Sequence, residues 1–210
     1  MSIEHKIHKG KIMAVIRHAD ETNIVPIIES LHEGGITLIE ITAETPKVTR
    51  LLEKATAVFD DEVVIGVGTV LDAETTRLAM LAGAQFIVTP TLNIDVIKMA
   101  NRYGIFVISG ALTPTEILTA YEHGADMIKV FPANSLGADY IKNILGPLGY
   151  IPLMVTGGIS LENMNDYFQA GCYAIGIGSS LVDPVKLTSE KDFIALNNRA
   201  REYANKIFNP

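Results

Sequence analysis

Residues 113–131 read TPTEILTAYEHGADMIKVF and contain one complete helix–strand unit. The helix is predicted to begin after Thr113, which can cap its N-terminus, with a proline in the first helical position and Glu116 placed to complete a capping box. Gly124 can take the left-handed conformation that is needed just past a helix end. The apolar run Ala125–Val130 follows at once, as expected of a strand that is covered on both faces.

The same unit recurs along the chain. A glycine that ends a helical stretch precedes an apolar run at four further places: Gly35 before Ile36–Thr42, Gly83 before Ala84–Thr89, Gly104 before Ile105–Ser109 and Gly171 before Cys172–Ile177. Three more apolar runs complete the set: Ile12–Ile16, Val63–Gly68 and Pro152–Thr156. The sequence therefore predicts eight strands with helices between them.

Eight strand–helix units in 210 residues predict an α/β fold, a single compact (β/α)8 barrel. We expect one domain over residues 1–210, with a short N-terminal extension. The alternative is a doubly wound open sheet, whose dinucleotide-binding form has a G-x-G-x-x-G turn after its first strand. Here the first strand is followed by Arg17-His18-Ala19-Asp20, which favours the barrel.

The composition excludes several classes of protein. With 48% hydrophobic and 20% charged residues, the chain is not of the disordered class. A net charge of −7 supplies no basic face, so we expect no nucleic-acid partner. No run approaches the roughly 20 apolar residues of a membrane span, so we expect no membrane partner. The single cysteine, Cys172, excludes an internal disulfide and fits a cytoplasmic location.

A lysine lies inside the predicted sixth strand, where lysine is rarely buried without a partner. By the period of two of a strand, Lys129 shares a face with Met127, and Glu40 shares a face with Leu38 in the second strand. Both charges are therefore expected to point into the barrel. One interpretation is a structural ion pair. The other is that Lys129 is a desolvated nucleophile towards a carbonyl group and that Glu40 moves the protons.

Two glycine-containing loops follow the seventh and eighth predicted strands. They read TGGIS at residues 156–160 and GIGSS, which includes Gly178, at residues 176–180. In (β/α)8 barrels, loops at these two places commonly form a phosphate site from backbone N–H groups. Arg17, at the end of the first strand, is either an ordinary exposed arginine or part of that anion site.

Other chemistries find little support in the sequence. None of the five histidines falls inside a predicted strand, and no His-x-His or similar ligand spacing occurs, so we expect no metal and no cofactor. No Ser-His-Asp arrangement stands out. By position alone, Thr69 and Pro90, which end the third and fourth strands, fit ordinary turns.

Several motifs, taken in order, resemble the 2-keto-3-deoxy-6-phosphogluconate aldolase / 4-hydroxy-2-oxoglutarate aldolase family. They are EIT at 40–42, GVGTV at 66–70, GAQFIVTP at 83–90, KVFP at 129–132, GP at 146–147 and TGGI at 156–159. The resemblance extends from about Lys11 to Pro184. It implies a class I aldolase on a (β/α)8 barrel, usually a homotrimer, that acts on a phosphorylated 2-keto acid and releases pyruvate.

The resemblance also implies a role for each matching residue. Lys129 would be the Schiff-base lysine, and Glu40 would be the glutamate that transfers protons. The residues implied to contact the rest of the substrate are Thr69 at the pyruvyl carboxylate, Pro90 and Phe131 along the wall, and Thr156 near the hydroxylated carbon. Those implied to bind phosphate are Gly157, Gly158 and Ser179, with Arg17 also in the anion pocket.

Two positions depart from the family pattern. Many members have an arginine four residues after the glutamate, where it holds the pyruvyl carboxylate, and here that position is Glu44. If the chain is an aldolase, Glu44 must point to solvent or be paired. Many members also have proline where the fifth strand has Ser109. Both changes affect the expected identity of the substrate more than the expected reaction.

The sequence therefore predicts a metal-independent class I aldolase. It would cleave a 2-keto-3-deoxy-6-phosphosugar acid to pyruvate and glyceraldehyde 3-phosphate, and also 4-hydroxy-2-oxoglutarate to pyruvate and glyoxylate. The alternatives are the same chemistry on a galactonate-derived isomer, a phosphate-binding barrel of isomerase or transferase type, and a catalytically silent binding protein.

Overall fold

Eight parallel strands alternate with helices in the computed structural model, which describes residues 2–59 and 62–208. The strands are β1 (Ile12–Ile16), β2 (Leu38–Thr42), β3 (Val64–Gly68), β4 (Phe86–Val88), β5 (Phe106–Ala111), β6 (Met127–Val130), β7 (Leu153–Thr156) and β8 (Ala174–Ile177). The helices are α1 (Ile3–Gly10), α2 (Ile24–Glu33), α3 (Val48–Val58), α4 (Ala73–Leu81), α5 (Ile94–Arg102), α6 (Pro114–Glu122), α7 (Gly137–Leu148), α8 (Met164–Gln169) and α9 (Glu190–Phe208). Two 3-10 turns lie at Ala133–Ser135 and Pro184–Lys186.

The strands pair in chain order, and β8 pairs with β1 to close the ring. All of the pairings are parallel, as the βαβ connections require. This closed arrangement confirms the predicted (β/α)8 barrel and excludes the open sheet. The eight predicted strand positions are also correct, although several strands begin one or two residues later than the apolar runs.

The predicted capping signals form as expected. The Thr113 hydroxyl accepts a hydrogen bond from the Glu116 N–H at 3.3 Å, and the Glu116 carboxylate accepts one from the Thr113 N–H at 2.8 Å, so the capping box is complete. Gly124 follows α6 with φ +94°, a conformation that side chains rarely adopt. The capping box and the left-handed Gly124 thus mark the two ends of α6, and β6 follows shortly after.

The buried apolar residues form two separate cores, as the period of two predicts. On β2, Ile39 and Ile41 pack against the helices, whereas Leu38 points into the barrel. On β6, Ile128 packs outward and Met127 inward. The inner core fills the lower part of the barrel with large side chains, including those of Met13, Val64, Phe86, Ile108 and Met154.

The N-terminal extension is the helix α1, and it closes the lower end of the barrel. Ser2 caps this helix by accepting a hydrogen bond from the His5 N–H at 3.3 Å. Ile7 is fully buried and belongs to the inner core together with Met13 and Leu38. The helix therefore excludes water from the end of the barrel opposite the strand carboxyl ends.

No helix in the described part of the chain is long and apolar enough to cross a membrane.

We expect Ile7→Ala to lower the free energy of unfolding by about 2–5 kcal/mol, because it removes buried methyl groups and leaves a cavity in the inner core. The matched control is Ile194→Ala on α9, where the side chain is exposed and the change should stay within about 0.5 kcal/mol. Urea denaturation of both variants measures the difference. Equal stability of the two variants would contradict this role for α1.

Candidate active site

Lys129 and Glu40 lie together inside the barrel, towards the carboxyl ends of the strands. The Lys129 Nζ is 4.0 Å from the Glu40 Oε2, and the two side chains are 3% and 0% exposed. Neither carboxylate oxygen of Glu40 has a hydrogen-bond partner among residues 2–59 and 62–208. The structure thus brings together the two charges that the strand periodicity directs inward.

The geometry of this pair argues against a purely structural ion pair. A buried salt bridge offsets its desolvation only with close contact and with further hydrogen bonds to the remaining lone pairs. Here the charged atoms stand beyond hydrogen-bond distance, and the carboxylate of Glu40 is left unsatisfied. Polar groups arranged in this way are available to a ligand that enters between them.

Glycines on the neighbouring strands leave room for the Glu40 carboxylate and for the Pro90 backbone. A Cβ atom on Gly68 would lie 1.8 Å from the Glu40 Oε1, and a Cβ atom on Gly110 would lie 2.2 Å from the Pro90 carbonyl carbon. Gly110 is paired with Lys129 across β5 and β6. The Glu40 carboxylate and the Pro90 backbone therefore take up places that side chains would otherwise fill, and we call this part of the barrel interior the chamber.

The residues that the resemblance places around the substrate differ in their surroundings in the structure. Phe131 directly follows β6, and its ring centroid is 5.4 Å from the Lys129 Nζ. Pro90 follows β4, and its backbone packs against Gly110. Thr156, at the end of β7, is buried, and its hydroxyl has no hydrogen-bond partner within the described residues. The Thr156 hydroxyl is therefore free to contact a ligand.

Thr69 has a strained backbone at the end of β3. Its φ of +57° lies in the left-handed region, where a β-branched residue is uncommon and the energy is higher by about 1–2 kcal/mol. Strain of this kind is found most often at functional sites, where it holds a group in a required direction. The left-handed φ fits either a turn residue or a functional one, since Lys11, His18 and Lys47 have a similar φ.

The loops after β7 and β8 lie at the barrel mouth. Gly157 and Gly158 are both left-handed, with φ of +100° and +67°. Gly178 has no atom within 4 Å of the place where a Cβ would stand, and Ser179 is exposed. The hydrogen bonds found between described residues engage neither the Gly158 N–H nor the Ser179 N–H. The two loops thus offer free backbone donors beside open space.

Arg17 and Glu44 form an ion pair on the rim between β1 and β2. Both side chains are partly exposed, at 45% and 38%. The Glu44 carboxylate is thus paired, one of the two outcomes expected of an aldolase with an acidic residue there. The same pairing occupies the guanidinium of Arg17. Beside it, the His18 N–H donates to the Thr45 hydroxyl at 3.2 Å, which joins the two loops.

Sequence reasoning missed two residues that shape the site, Gly68 and Asn134. The contact between Gly68 and Glu40 depends on the register of β2 and β3, in which Thr42 pairs with Gly68, and register cannot be read from composition. Asn134, in the 3-10 turn after β6, packs against Gly158. No motif marked it, because nothing in the sequence of β6 indicates which part of β7 its loop will reach.

Ser109 faces away from the chamber. It alternates with Ile108, which belongs to the inner core, so its side chain lies between β5 and the helices. It is fully buried, and its hydroxyl has no partner within the described residues. Ser109 thus has no direct contact with a substrate in this site.

Known proteins resemble this chain over most of its length. Residues 3–197 match the KDPG and KHG aldolase family. The 2-dehydro-3-deoxy-phosphogluconate aldolase of Haemophilus influenzae is 33% identical over 206 residues, 98% of this chain and 96% of that protein. The 2-dehydro-3-deoxy-6-phosphogalactonate aldolase of Escherichia coli is 32% identical over 174 residues, 82% of this chain and 85% of that protein.

The solved structures include a close match to the barrel. The KDPG aldolase from Legionella pneumophila, with pyruvate captured at low pH as a covalent carbinolamine intermediate, superposes with a TM-score of 0.87 at 25% identity, covering 95% of this chain and 97% of that chain. Sequence and structure agree over nearly the whole length, and the chain belongs to the KDPG and KHG aldolase family, whose members are carbon–carbon lyases.

Proposed function

We propose that the protein is a class I aldolase in which Lys129 is the nucleophile and Glu40 is the proton carrier. The observation that carries this proposal is the buried, unsatisfied Glu40 carboxylate 4.0 Å from the only buried lysine of the described residues. The absence of a side chain at Gly68 supports it, because the Glu40 carboxylate occupies that place and so comes to lie beside Lys129.

The chemistry begins with attack of the unprotonated Lys129 amine on the C2 ketone of a 2-keto-4-hydroxy acid. Glu40 delivers a proton to the resulting hydroxyl, and water leaves to give a protonated imine. Glu40 then takes the C4 hydroxyl proton, through a water molecule. The C3–C4 bond breaks, its electron pair flows into the iminium group, and an aldehyde leaves. Protonation of the enamine at C3 and hydrolysis release pyruvate and free Lys129.

The remaining site residues would orient the two ends of the substrate. Thr69 would donate to the pyruvyl carboxylate, and Pro90 and Phe131 would hold the carbon chain. We place Arg17 near an anionic end of the substrate, where it would exchange its contact with Glu44 for one with the ligand. Thr156 would lie near the hydroxylated C4 carbon, which its unpartnered hydroxyl supports.

The proposed main substrate is a 2-keto-3-deoxy-6-phosphosugar acid, which would yield pyruvate and glyceraldehyde 3-phosphate. Free backbone donors of the loops at Gly157, Gly158, Gly178 and Ser179 support the phosphate end. 4-Hydroxy-2-oxoglutarate would be a second substrate and would yield glyoxylate. The galactonate-derived isomer is the competing substrate, because the E. coli relative is named for it.

We further propose a cytoplasmic homotrimer. The exposed Leu78 and Leu81 lie three residues apart on α4, and the exposed Leu71 lies two residues before that helix. A second copy of the chain would cover this apolar face. The single cysteine, Cys172, is buried and free, which is compatible with a reducing compartment such as the cytoplasm.

Borohydride trapping tests the covalent step. Pyruvate and borohydride together should add permanent mass at Lys129 and inactivate the enzyme, because reduction of the imine leaves a stable secondary amine. The exposed Lys142 serves as an internal control and should remain unlabelled. Peptide mass spectrometry locates the label. Turnover by a Lys129→Ala variant at the normal rate would favour an isomerase or transferase instead, and binding without any pyruvate release would favour the silent binding protein.

Glu40→Gln should lower kcat by about 10²–10⁴-fold, since it keeps the shape of the side chain and removes the base. Some imine should still be trapped, because the amine of Lys129 remains. Steady-state kinetics and trapping yield are measured on the same preparation. A variant with altered stability and an unchanged kcat would restore the structural-ion-pair interpretation.

The phosphate loops are best tested at Gly178, where a side chain meets open space. Gly178→Ala should be nearly neutral, whereas Gly178→Asp should raise KM for the phosphorylated substrate at least about tenfold. The reason is that two like charges about 4 Å apart repel by about 4 kcal/mol at an effective dielectric near 20, less whatever solvent screens. KM for unphosphorylated 4-hydroxy-2-oxoglutarate should change much less. Equal losses on both substrates would mean that these loops do not hold phosphate.

The trimer is tested by charging the apolar face of α4. A Leu78→Glu/Leu81→Glu variant should sediment as a monomer, because paired carboxylates cannot be buried there without a large desolvation penalty. The control is Val185→Glu, which changes an equally exposed apolar residue outside α4 and should leave the trimer intact. A wild-type protein that sediments as a monomer would contradict the proposal directly.

A further inference from the structure

Asn134 extends over the turn that carries the proposed phosphate donors. It lies in the 3-10 turn Ala133–Ser135, and its backbone N–H donates to the Gly157 carbonyl at 3.1 Å. A Cβ atom on Gly158 would lie 2.5 Å from the Asn134 Cβ and 2.7 Å from its Nδ2. The carboxamide therefore stands directly beside the Gly158 backbone, and it can do so only because residue 158 has no side chain.

The backbone of this turn is held in place from both sides. The buried Ala133 accepts a hydrogen bond from the Tyr167 hydroxyl of α8 at 3.2 Å and another from the Leu136 N–H at 3.2 Å. Together with the contact between Asn134 and Gly157, these bonds tie the loop after β6 to the loop after β7 and to α8. The position of the Asn134 Cα is thus set by three contacts that do not involve its side chain.

The side chain of Asn134 makes no hydrogen bond that would stabilise the loop within the described residues. Its carboxamide is exposed, and none of the hydrogen bonds found between described residues involves it. By contrast, the carboxamide of Asn163, just before α8, donates to the neighbouring Gly158 carbonyl, and that of Asn101, at the opposite end of the barrel, donates to the Gly124 carbonyl. An amide donor that is placed by a well-anchored backbone and left unused beside two left-handed glycines is available for a ligand.

We propose that the Asn134 Nδ2 donates a hydrogen bond to the phosphoryl group of the substrate and makes this side chain a specificity-determining residue. The inference rests on the proposed function, since it takes the loops at Gly158 and Ser179 to be the phosphate site. The carboxamide completes a set of neutral donors in which backbone N–H groups supply the others. Asn134 is the fifth residue after Lys129, so one short segment would contact both the C2 carbon and the phosphate.

A donor of this kind distinguishes a phosphoryl group from a neutral hydroxymethyl group. Hydrogen bonds to charged groups are stronger than those between neutral groups. Asn134 would therefore favour the phosphorylated sugar acid and contribute little to 4-hydroxy-2-oxoglutarate, which ends before it reaches the phosphate loops. The selectivity between the two substrates would depend in part on this residue.

Two substitutions test whether the Asn134 side chain acts as a hydrogen-bond donor or only fills space. Asn134→Ala removes the carboxamide and should raise KM for the 2-keto-3-deoxy-6-phosphosugar acid about tenfold or more. Asn134→Asp keeps the shape and replaces the donor by a negative charge, and it should raise that KM about a hundredfold. For both variants, kcat/KM for 4-hydroxy-2-oxoglutarate should stay within about twofold of wild type. Ser135→Ala, next to it on the same turn, is the control and should change neither substrate.

Inorganic phosphate gives a second measurement that does not need turnover. Its inhibition constant against unphosphorylated substrate should rise in both Asn134 variants and stay constant in Ser135→Ala. Thermal denaturation of each variant should match wild type, because the carboxamide supports no other residue. If Asn134→Ala alone is unstable, the isosteric Asn134→Asp still provides the test.

The outcomes distinguish this inference from the proposed function. If Gly178→Asp impairs only the phosphorylated substrate and both Asn134 variants behave like wild type, the phosphate site stands and the role of Asn134 is wrong. If both Asn134 variants lose activity equally on the two substrates, Asn134 is a structural residue of the loop and the inference is overturned. If wild-type enzyme cleaves no phosphorylated substrate, both proposals fall.

Discussion

The unsatisfied carboxylate of Glu40 is the constraint on which the rest of the site depends. A carboxylate and an ammonium group taken out of water lose several kcal/mol of hydration each, and contact between the two restores this loss only when the geometry is close. Here the distance between Lys129 Nζ and Glu40 Oε2 is 4.0 Å, so the pair is held apart by the fold. The hydrogen-bonding capacity of the Glu40 carboxylate is therefore not used within the described residues, as the proposed proton transfer requires.

The packing of the barrel makes this separation possible. Below the pair, large side chains such as Phe86 and Met154 fill the interior, and Ile7 of α1 closes the end of the barrel. Beside the pair, a side chain at Gly68 would collide with the Glu40 carboxylate, and one at Gly110 would collide with the Pro90 backbone. The lower part of the barrel is therefore filled by large apolar side chains, whereas the part around Lys129 and Glu40 depends on glycine at two positions.

Local patterns in the sequence predicted the framework and the central pair. The eight strand positions follow from glycine-ended helices and apolar runs, and the inward direction of Glu40 and Lys129 follows from the period of two. The same period explains why Ser109 faces the helices, since its neighbour Ile108 faces inward. Family resemblance supplied the candidate roles of Thr69 and Thr156. These predictions need only residues that are close in the chain or a motif that is already known.

The remaining features depend on contacts between distant segments. The left-handed backbone of Thr69, the ion pair between Arg17 and Glu44 and the contact of Asn134 with Gly158 each require the register of two strands. No local preference indicates them, and a left-handed threonine opposes its own preference. Added salt has two opposite effects on the Arg17 guanidinium beside Glu44. Added ions screen the contact with Glu44 and release the guanidinium, and they equally screen its attraction for an incoming anion. Under the proposed role of Arg17, the guanidinium would exchange the Glu44 carboxylate for an anionic group of the substrate, and the two effects of salt would largely offset each other.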